Sequence, residues 1–269
     1  MATRETTTLA LTPIAQNPSA GRWRTEAMRS HQSPRLIWFT RGQGRITVAG
    51  LTRGYGPNNL IYIPPGTMYG YDCGAMVAGL MLTLPLAVAP DWPDEPVHLR
   101  LKDVVAQKEC AALFDALERE LTSGREGAQR AALHHAGLIA IFFQRNIDGA
   151  ADHPRGREAA ARIVAAYTDL VERNYRKPLG VADYARRLGV TPTHLTRCCR
   201  QTCGCTAHQL LRDRVLFEAR QMLRDTDLPV QEVARELGYR SAAYFTRAFQ
   251  AATGLTPTRF RRDGAAHSA

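Results

Sequence analysis

The apolar positions of this chain change period about a third of the way along it. Between residues 35 and 90 they come in short runs cut by glycine and proline. Leu36-Ile37-Trp38-Phe39 is one run, Arg45-Ile46-Thr47-Val48 alternates polar with apolar, and Leu60-Ile61-Tyr62-Ile63 leads into Pro64-Pro65-Gly66. Arg41-Gly42-Gln43-Gly44 marks a turn, and Gly54, Gly56 and Pro57 punctuate the next stretch. Short strands between such turns predict a small β barrel or sandwich. After Pro96 the spacing becomes helical. Val104, Leu113, Leu117 and Leu121 fall on one amphipathic helix, and residues 131–147 form a second.

A polar segment marked by Gly149, Pro154 and Gly156 then separates two domains. Beyond it the pattern is all-helical. Ile163, Tyr167, Leu170 and Val171 share one helix, with a stop at Asn174 and Pro178. Leu211, Val215, Ala219 and Met222 make a central helix, opened by a capping box between Thr206 and Gln209. Thr191-Pro192 and Thr256-Pro257 are N-cap and first-turn proline pairs. The expected class is α+β. Residues 1–34 form a loose polar arm, 35–98 a barrel, 99–147 a helical packing or dimerisation segment, 148–156 a linker, and 157–264 an all-α domain.

Charge sharpens this division. Residues 1–154 hold 15 basic and 14 acidic side chains, whereas residues 155–269 hold 20 and 11, a balance of +9 out of +10. Nineteen of those 20 are arginine. Such a half attracts a polyanion, nucleic acid first and an anionic membrane surface second. Arginine also suits bidentate recognition of phosphate or guanine. The apolar stretch 73–89 contains Gly74, Gly79, Thr83 and Pro85, so it reads as buried strand rather than membrane span. The first 25 residues lack an apolar core of the kind a signal peptide has, and the expected location is the cytoplasm.

The C-terminal half repeats itself. Ala182-Asp-Tyr-Ala-Arg-Arg-Leu-Gly189, Leu195-Thr-Arg-Cys-Cys-Arg and Gly204-Cys-Thr206 return as Gln231-Glu-Val-Ala-Arg-Glu-Leu-Gly238, Phe245-Thr-Arg-Ala-Phe-Gln and Gly254-Leu-Thr256. The offset is 49 before the turn and 50 after it, so one residue is inserted in the second turn. Each copy reads as a helix-turn-helix: a short helix, a glycine that supplies a positive φ, and a second helix. Ala185 and Ala234 are small where the helices cross. Leu195 and Cys199, or Phe245 and Phe249, face inward, while the residues between them face out. An exposed Thr/Arg helix face is what a DNA major groove admits.

On these residues the chain resembles the AraC/XylS family of bacterial transcription regulators over positions 165–263. The second half carries it most fully, in Asp225-Thr-Asp-Leu-Pro-Val-Gln-Glu-Val-Ala234, Gly238-Tyr-Arg-Ser-Ala-Ala-Tyr-Phe-Thr-Arg-Ala-Phe249 and Gly254-Leu-Thr-Pro-Thr-Arg-Phe-Arg261. The resemblance implies seven helices, two helix-turn-helix units and sequence-specific binding to double-stranded promoter DNA, with RNA polymerase as a further partner. It places base reading on Thr193, Thr196 and Arg197 and on Ala242, Ala243, Thr246 and Arg247. Arg200 and Gln250 are left for phosphates. Cys198-Cys199-Arg200 departs from the usual apolar residue, Phe and Lys, and Ala242-Ala243 replaces commoner polar residues.

Gly56-x7-Pro64-Pro65-Gly66-Thr-Met-Tyr69 resembles the cupin-like sensor barrel of the same family. Metal cupins place a histidine near position 69 and a His-x-His pair upstream. Here Tyr69 stands there and residues 35–66 hold no histidine, so no metal, cofactor or catalytic residue is expected. A small-molecule effector pocket is expected instead, lined by Trp38, Arg45, Tyr62, Tyr69 and Tyr71. A homodimer seam is expected near Leu113, Leu117 and Leu121, unless these pack on their own barrel. Two alternatives are a redox or metal switch at Cys198, Cys199, Cys203 and Cys205, and a cupin-type enzyme. Cys199, Cys203 and Cys205 align with Phe249, Thr253 and Leu255 of the second copy, which favours plain core packing.

Overall fold

In a computed structural model, residues 8–14, 27–74, 76–147 and 158–265 are described. The linker expected at 148–156 lies outside them. Among them eight strands come first: β1 (Ala10–Ile14), β2 (Arg35–Arg41), β3 (Gly44–Val48), β4 (Leu51–Tyr55), β5 (Asn59–Ile63), β6 (Tyr69–Tyr71), β7 (Ala78–Thr83) and β8 (Val97–Arg100). A short 3-10 helix, Leu86–Asp91, precedes β8. Among the described residues nine helices follow: α1 (Val104–Ser123), α2 (Ala128–Ile147), α3 (Glu158–Asn174), α4 (Val181–Arg187), α5 (Pro192–Cys203), α6 (Ala207–Asp225), α7 (Val230–Glu236), α8 (Ala242–Thr253) and α9 (Pro257–Ala265). None of these is long and apolar enough to cross a membrane.

The α+β class holds, but the expected barrel is not closed. Its strands divide into a five-stranded antiparallel sheet, ordered β1-β7-β2-β5-β8, and a three-stranded sheet, ordered β4-β3-β6. The central strands β2 and β5 explain the division. They are apolar at consecutive positions because both of their faces are covered. Leu36, Trp38, Leu60 and Tyr62 point toward α1 and α2. Ile37, Phe39, Ile61 and Ile63 point toward Ile46, Tyr55, Tyr69 and Tyr71 of the smaller sheet.

Part of the arm is structured after all. β1 pairs with β7, and its Pro13 is tolerated because β1 is an edge strand. Arg29 bridges to Tyr69 through backbone hydrogen bonds of 2.9 and 2.8 Å, with its guanidinium 4.6 Å from the Tyr69 ring centre. Met28 packs with Met68 against the helical core, so this segment reaches both halves of the chain. The tight β3–β4 turn does the same. Gly50, at φ +73°, lies against Val164 of α3 so closely that a Cβ would sit 2.3 Å from Val164 Cγ1.

The helical half is built around α6. Its capping box at Thr206 and Gln209 forms as expected, and Ala207, Leu210, Ala219 and Leu223 are buried. Tyr167 of α3 donates a 2.7 Å hydrogen bond to the Ala207 carbonyl oxygen. Beneath it Arg214 is buried and grips Glu172 at 2.7 and 3.0 Å and Glu218 at 3.0 Å. Its guanidinium also lies 3.9 Å from the Tyr175 ring centre.

Candidate nucleic-acid interface

The two helix-turn-helix copies match position by position. α4 ends at Gly189 (φ +68°) and α7 at Gly238 (φ +74°). The second helix is then capped by Thr191, whose Oγ1 accepts from the His194 N–H at 3.1 Å, or by Ser241, whose Oγ accepts from the Tyr244 N–H at 3.2 Å. Both second helices stop at a left-handed glycine, Gly204 (φ +73°) or Gly254 (φ +75°). Ala185 and Ala234 are buried at the crossings. Leu195 and Cys199, like Phe245 and Phe249, are sealed in the core.

With these positions turned inward, the helical period leaves a defined outer face on each unit. Thr193, Arg197 and Arg200 are exposed on α5 and Thr196 is half-buried. Together with Pro192 these four line an open concavity of ≈ 510 Å³. On α8, Ala243, Arg247 and Gln250 are exposed, and Ala242 and Thr246 are half-buried. Sequence reasoning missed two residues on these faces. His194 Nδ1 lies 2.9 Å from Arg197 Nη2, and Tyr244 stands exposed beside Ala243. A polar residue one turn before an exposed arginine was the available signal for His194.

The four clustered cysteines are all free thiols and split in pairs. Cys198 and Cys199 are buried, the latter as its alignment with Phe249 implies, while Cys203 and Cys205 are half-buried. Among the described residues no three His, Cys, Asp or Glu side chains are grouped to hold a metal ion.

The five residues expected to line an effector pocket do not converge. Trp38 packs on Phe114 with ring centres 4.8 Å apart, and Tyr62 stacks on Trp92 at 5.1 Å, both on the helix-covered face of the large sheet. Tyr69 and Tyr71 lie between the two sheets beneath Arg29. Arg45 is exposed and pairs with Asp72 at 3.5 Å. The alternation of strand residues puts neighbours on opposite faces, and sequence alone does not say which face is open. A cavity of ≈ 570 Å³ opens elsewhere, between the sheets and α3. Ile46, Val48, Leu51 and Ile61 supply its apolar wall, and Arg53, Glu95, His98 and Arg162 its polar rim. Burial, then the nearby Arg53 charge, lowers the His98 pKa to about 4, and its Nε2 sits 2.6 Å from Asn59 Oδ1. The neutral ring therefore donates to Asn59.

The seam expected near Leu113, Leu117 and Leu121 is spent internally. Leu117 is fully buried under the sheet, and Leu113 and Leu121 pack against the same cluster.

Comparison with known proteins agrees with this geometry. A family model described as a helix-turn-helix domain matches residues 184–263. Over 80 residues the chain is 35% identical to the probable transcription factor PqrA of Proteus vulgaris, a match covering 30% of this chain and 66% of that one. It is 23% identical over 236 residues to the arabinose operon regulatory protein of Escherichia coli, covering 82% of this chain and 77% of that one. It is 28% identical over 170 residues to YfiF of Bacillus subtilis, an HTH-type transcriptional regulator, covering 62% of this chain but spanning only 50% of that protein's length. The matched segment holds both units, their turn glycines and their outward Thr/Arg faces, and the chain belongs to the AraC family of DNA-binding transcription regulators.

Proposed function

We propose that the chain controls transcription by placing α5 and α8 in successive major grooves on one face of promoter DNA, about 34 Å apart. In this reading Thr193, Thr196 and Arg197 face the bases of one groove, and Ala242, Ala243, Thr246 and Arg247 those of the next. The alanines contact thymine methyls rather than donate hydrogen bonds. Arg200 and Gln250 hold phosphates. The observation that carries the reading is the duplication itself. Two equivalently capped helices present equivalent outer faces; α5 packs directly on α6, α8 is joined to it through α7 and α9, and Arg214 locks α6 to α3 through Glu172. In vitro selection from a random duplex library tests it. Enrichment of a bipartite site with two short elements one helical turn apart supports it, and a single contiguous element contradicts it.

The N-terminal half then acts as a sensor. A small apolar molecule with one polar or anionic end fits the cavity between the sheets and α3, near Arg53 and Arg162. Its occupant touches both the sheet and the first helix of the DNA-binding half, which gives effector binding a route to the helix-turn-helix units. Thermal-shift screening reads such binding directly, because a ligand of the native state raises its stability. Ala165→Trp, which fills the cavity, is expected to abolish the shift and leave DNA binding in place. RNA polymerase and a second copy of the chain complete the proposed partners. A dimer seam would draw on Leu138 and Ile141, exposed apolar residues of α2. The reading is of a cytoplasmic regulator without a catalytic step.

A further inference from the structure

The cysteines at the end of α5 are not among the residues assigned to DNA reading, and their arrangement is not that of ordinary core packing. Cys203 is the last residue of α5, and Cys205 directly precedes Thr206, the N-cap of α6. Gly204 between them holds φ +73°, and the turn brings the two Sγ atoms to 3.2 Å. Both side chains are half-buried, so a small oxidant reaches them, whereas Cys198 and Cys199 are sealed in the core.

The second copy shows what this turn looks like without thiols. There Thr253 closes it by donating to the carbonyl oxygens of Phe249 at 2.8 Å and Leu255 at 3.0 Å. In the first copy Cys203 still donates to the matching Cys199 carbonyl oxygen at 3.1 Å, but its second contact is the Cys205 sulfur. The hydroxyl and aliphatic pair of one unit is thus a dithiol in the other.

We propose that Cys203 and Cys205 are an oxidisable pair that closes into a reversible intramolecular disulfide on exposure to a peroxide. The Cys203 thiolate attacks the O–O bond, which gives a sulfenic acid and releases hydroxide that is protonated to water. The Cys205 sulfur, losing its proton, then attacks the Cys203 sulfur. The S–O bond breaks, the S–S bond forms and a second water leaves. Two electrons pass from the dithiol to the peroxide. Closure asks the sulfurs to move from 3.2 Å to a bond of about 2.05 Å.

The electrostatics assign the order of attack. The Cys205 thiol and backbone N–H donate toward Cys203 and hold its pKa below the ordinary thiol range, against the opposing effect of burial. The same contact pushes Cys205 upward. Burial raises Cys199 and Cys110 to about 12, which keeps them as unreactive thiols. A ring closed across a single residue is strained, and strained disulfides are the ones readily reduced again. The bond would pin the end of α5 to the start of α6, altering the first unit and leaving the second untouched.

The experiment treats the intact native chain with hydrogen peroxide, alkylates remaining thiols and digests with trypsin. Residues 201–212 form one tryptic peptide holding Cys203 and Cys205 and no other cysteine. That peptide is expected to lose about 2 Da and both alkylation sites, and to regain them after dithiothreitol. Cys203→Ser and Cys205→Ser each remove the effect, while the Cys73→Ser/Cys110→Ser double variant keeps it. Recovery of the peptide doubly alkylated, overoxidised to sulfinic acid, or bridged to Cys198 or Cys199 overturns the proposal. The readout is independent of DNA binding, so its failure leaves the promoter-binding reading standing.

Discussion

Arg197 Nη2 lies 2.9 Å from Nδ1 of His194, one turn earlier on the outward face of α5. An imidazole that accepts from a guanidinium carries its proton on Nε2, and that atom lies 3.6 Å from the Cys198 sulfur. The ring is thus held between a buried thiol and an exposed arginine. It restricts the arginine to a narrow set of rotamers before DNA arrives, which lowers the entropy lost on binding.

Arg197→Ala is therefore expected to weaken binding at the cognate site by about 1–3 kcal/mol and to leave nonspecific binding nearly unchanged. His194→Ala is expected to show the same selectivity with a smaller loss, since the arginine remains but is no longer positioned. Competition gel shifts with cognate and scrambled duplexes measure both. Equal losses on the two duplexes would contradict a base-reading role.

Arg200 faces out one turn further along α5. If it grips a phosphate, Arg200→Ala weakens cognate and scrambled DNA alike and lowers the slope of log affinity against log salt by about 1. Titrations at several salt concentrations separate this behaviour from that of Arg197.

Arg214 is almost fully buried, with Glu172 and Glu218 around it and Tyr175 under its face. Removing the cation strands the Glu172 carboxylate in a desolvated site, while Glu218 keeps Arg176 at 2.7 Å. Arg214→Met is expected to cost about 3–5 kcal/mol of stability, the range for breaking one side of a buried ion pair. Urea denaturation reads the loss directly. A cost below 1 kcal/mol would show that the network is hydrated and contributes little.

The turn glycines differ in what surrounds them. Gly204 adopts φ +73° with open space around it, so Gly204→Ala pays only the left-handed backbone penalty, about 1–2 kcal/mol. Gly238 has a similar φ of +74°, but a Cβ there would lie 2.6 Å from the Arg176 carbonyl oxygen. Gly238→Ala is expected to be the more destabilising of the two in parallel thermal melts.

His31 gives the fold an acid-sensitive joint. Burial first, then the charges of Arg35, Arg29 and Arg214, lowers its pKa from 6.5 to about 3. Between those values the unfolded chain binds a proton that the folded chain refuses, so stability rises with pH. The contribution is complete above about pH 6.5 and is lost as the pH falls toward 3. His31→Gln is expected to flatten the stability profile between pH 7 and 4 in urea titrations at fixed ionic strength. An unchanged slope would mean that His31 is hydrated in the native state.

The helical half was largely legible in the sequence because its signals are local. Caps such as Thr206 and Thr191, turn glycines and the inward spacing of Phe245 and Phe249 each depend on neighbours within a few residues. The repeat then supplied a second reading of every position. The sheets were less legible because their contacts are distant in sequence. β1 pairs with β7 some seventy residues away, and no local pattern announces that Ala10 lies opposite Thr83. The pocket failed for the same reason. Trp38 and Tyr62 are good pocket residues by type, but the face they occupy is covered by α1 and α2, whose packing no periodicity in β2 or β5 reveals.

Hydroxyl-radical footprinting on a selected duplex tests the central claim most directly. Wild-type protein is expected to protect two backbone patches on one face of the helix, about 10–10.5 bp apart. Arg197→Ala should weaken one patch and Arg247→Ala the other. A single patch, or two patches that both fade equally with either substitution, would contradict a protein that reads successive major grooves with α5 and α8.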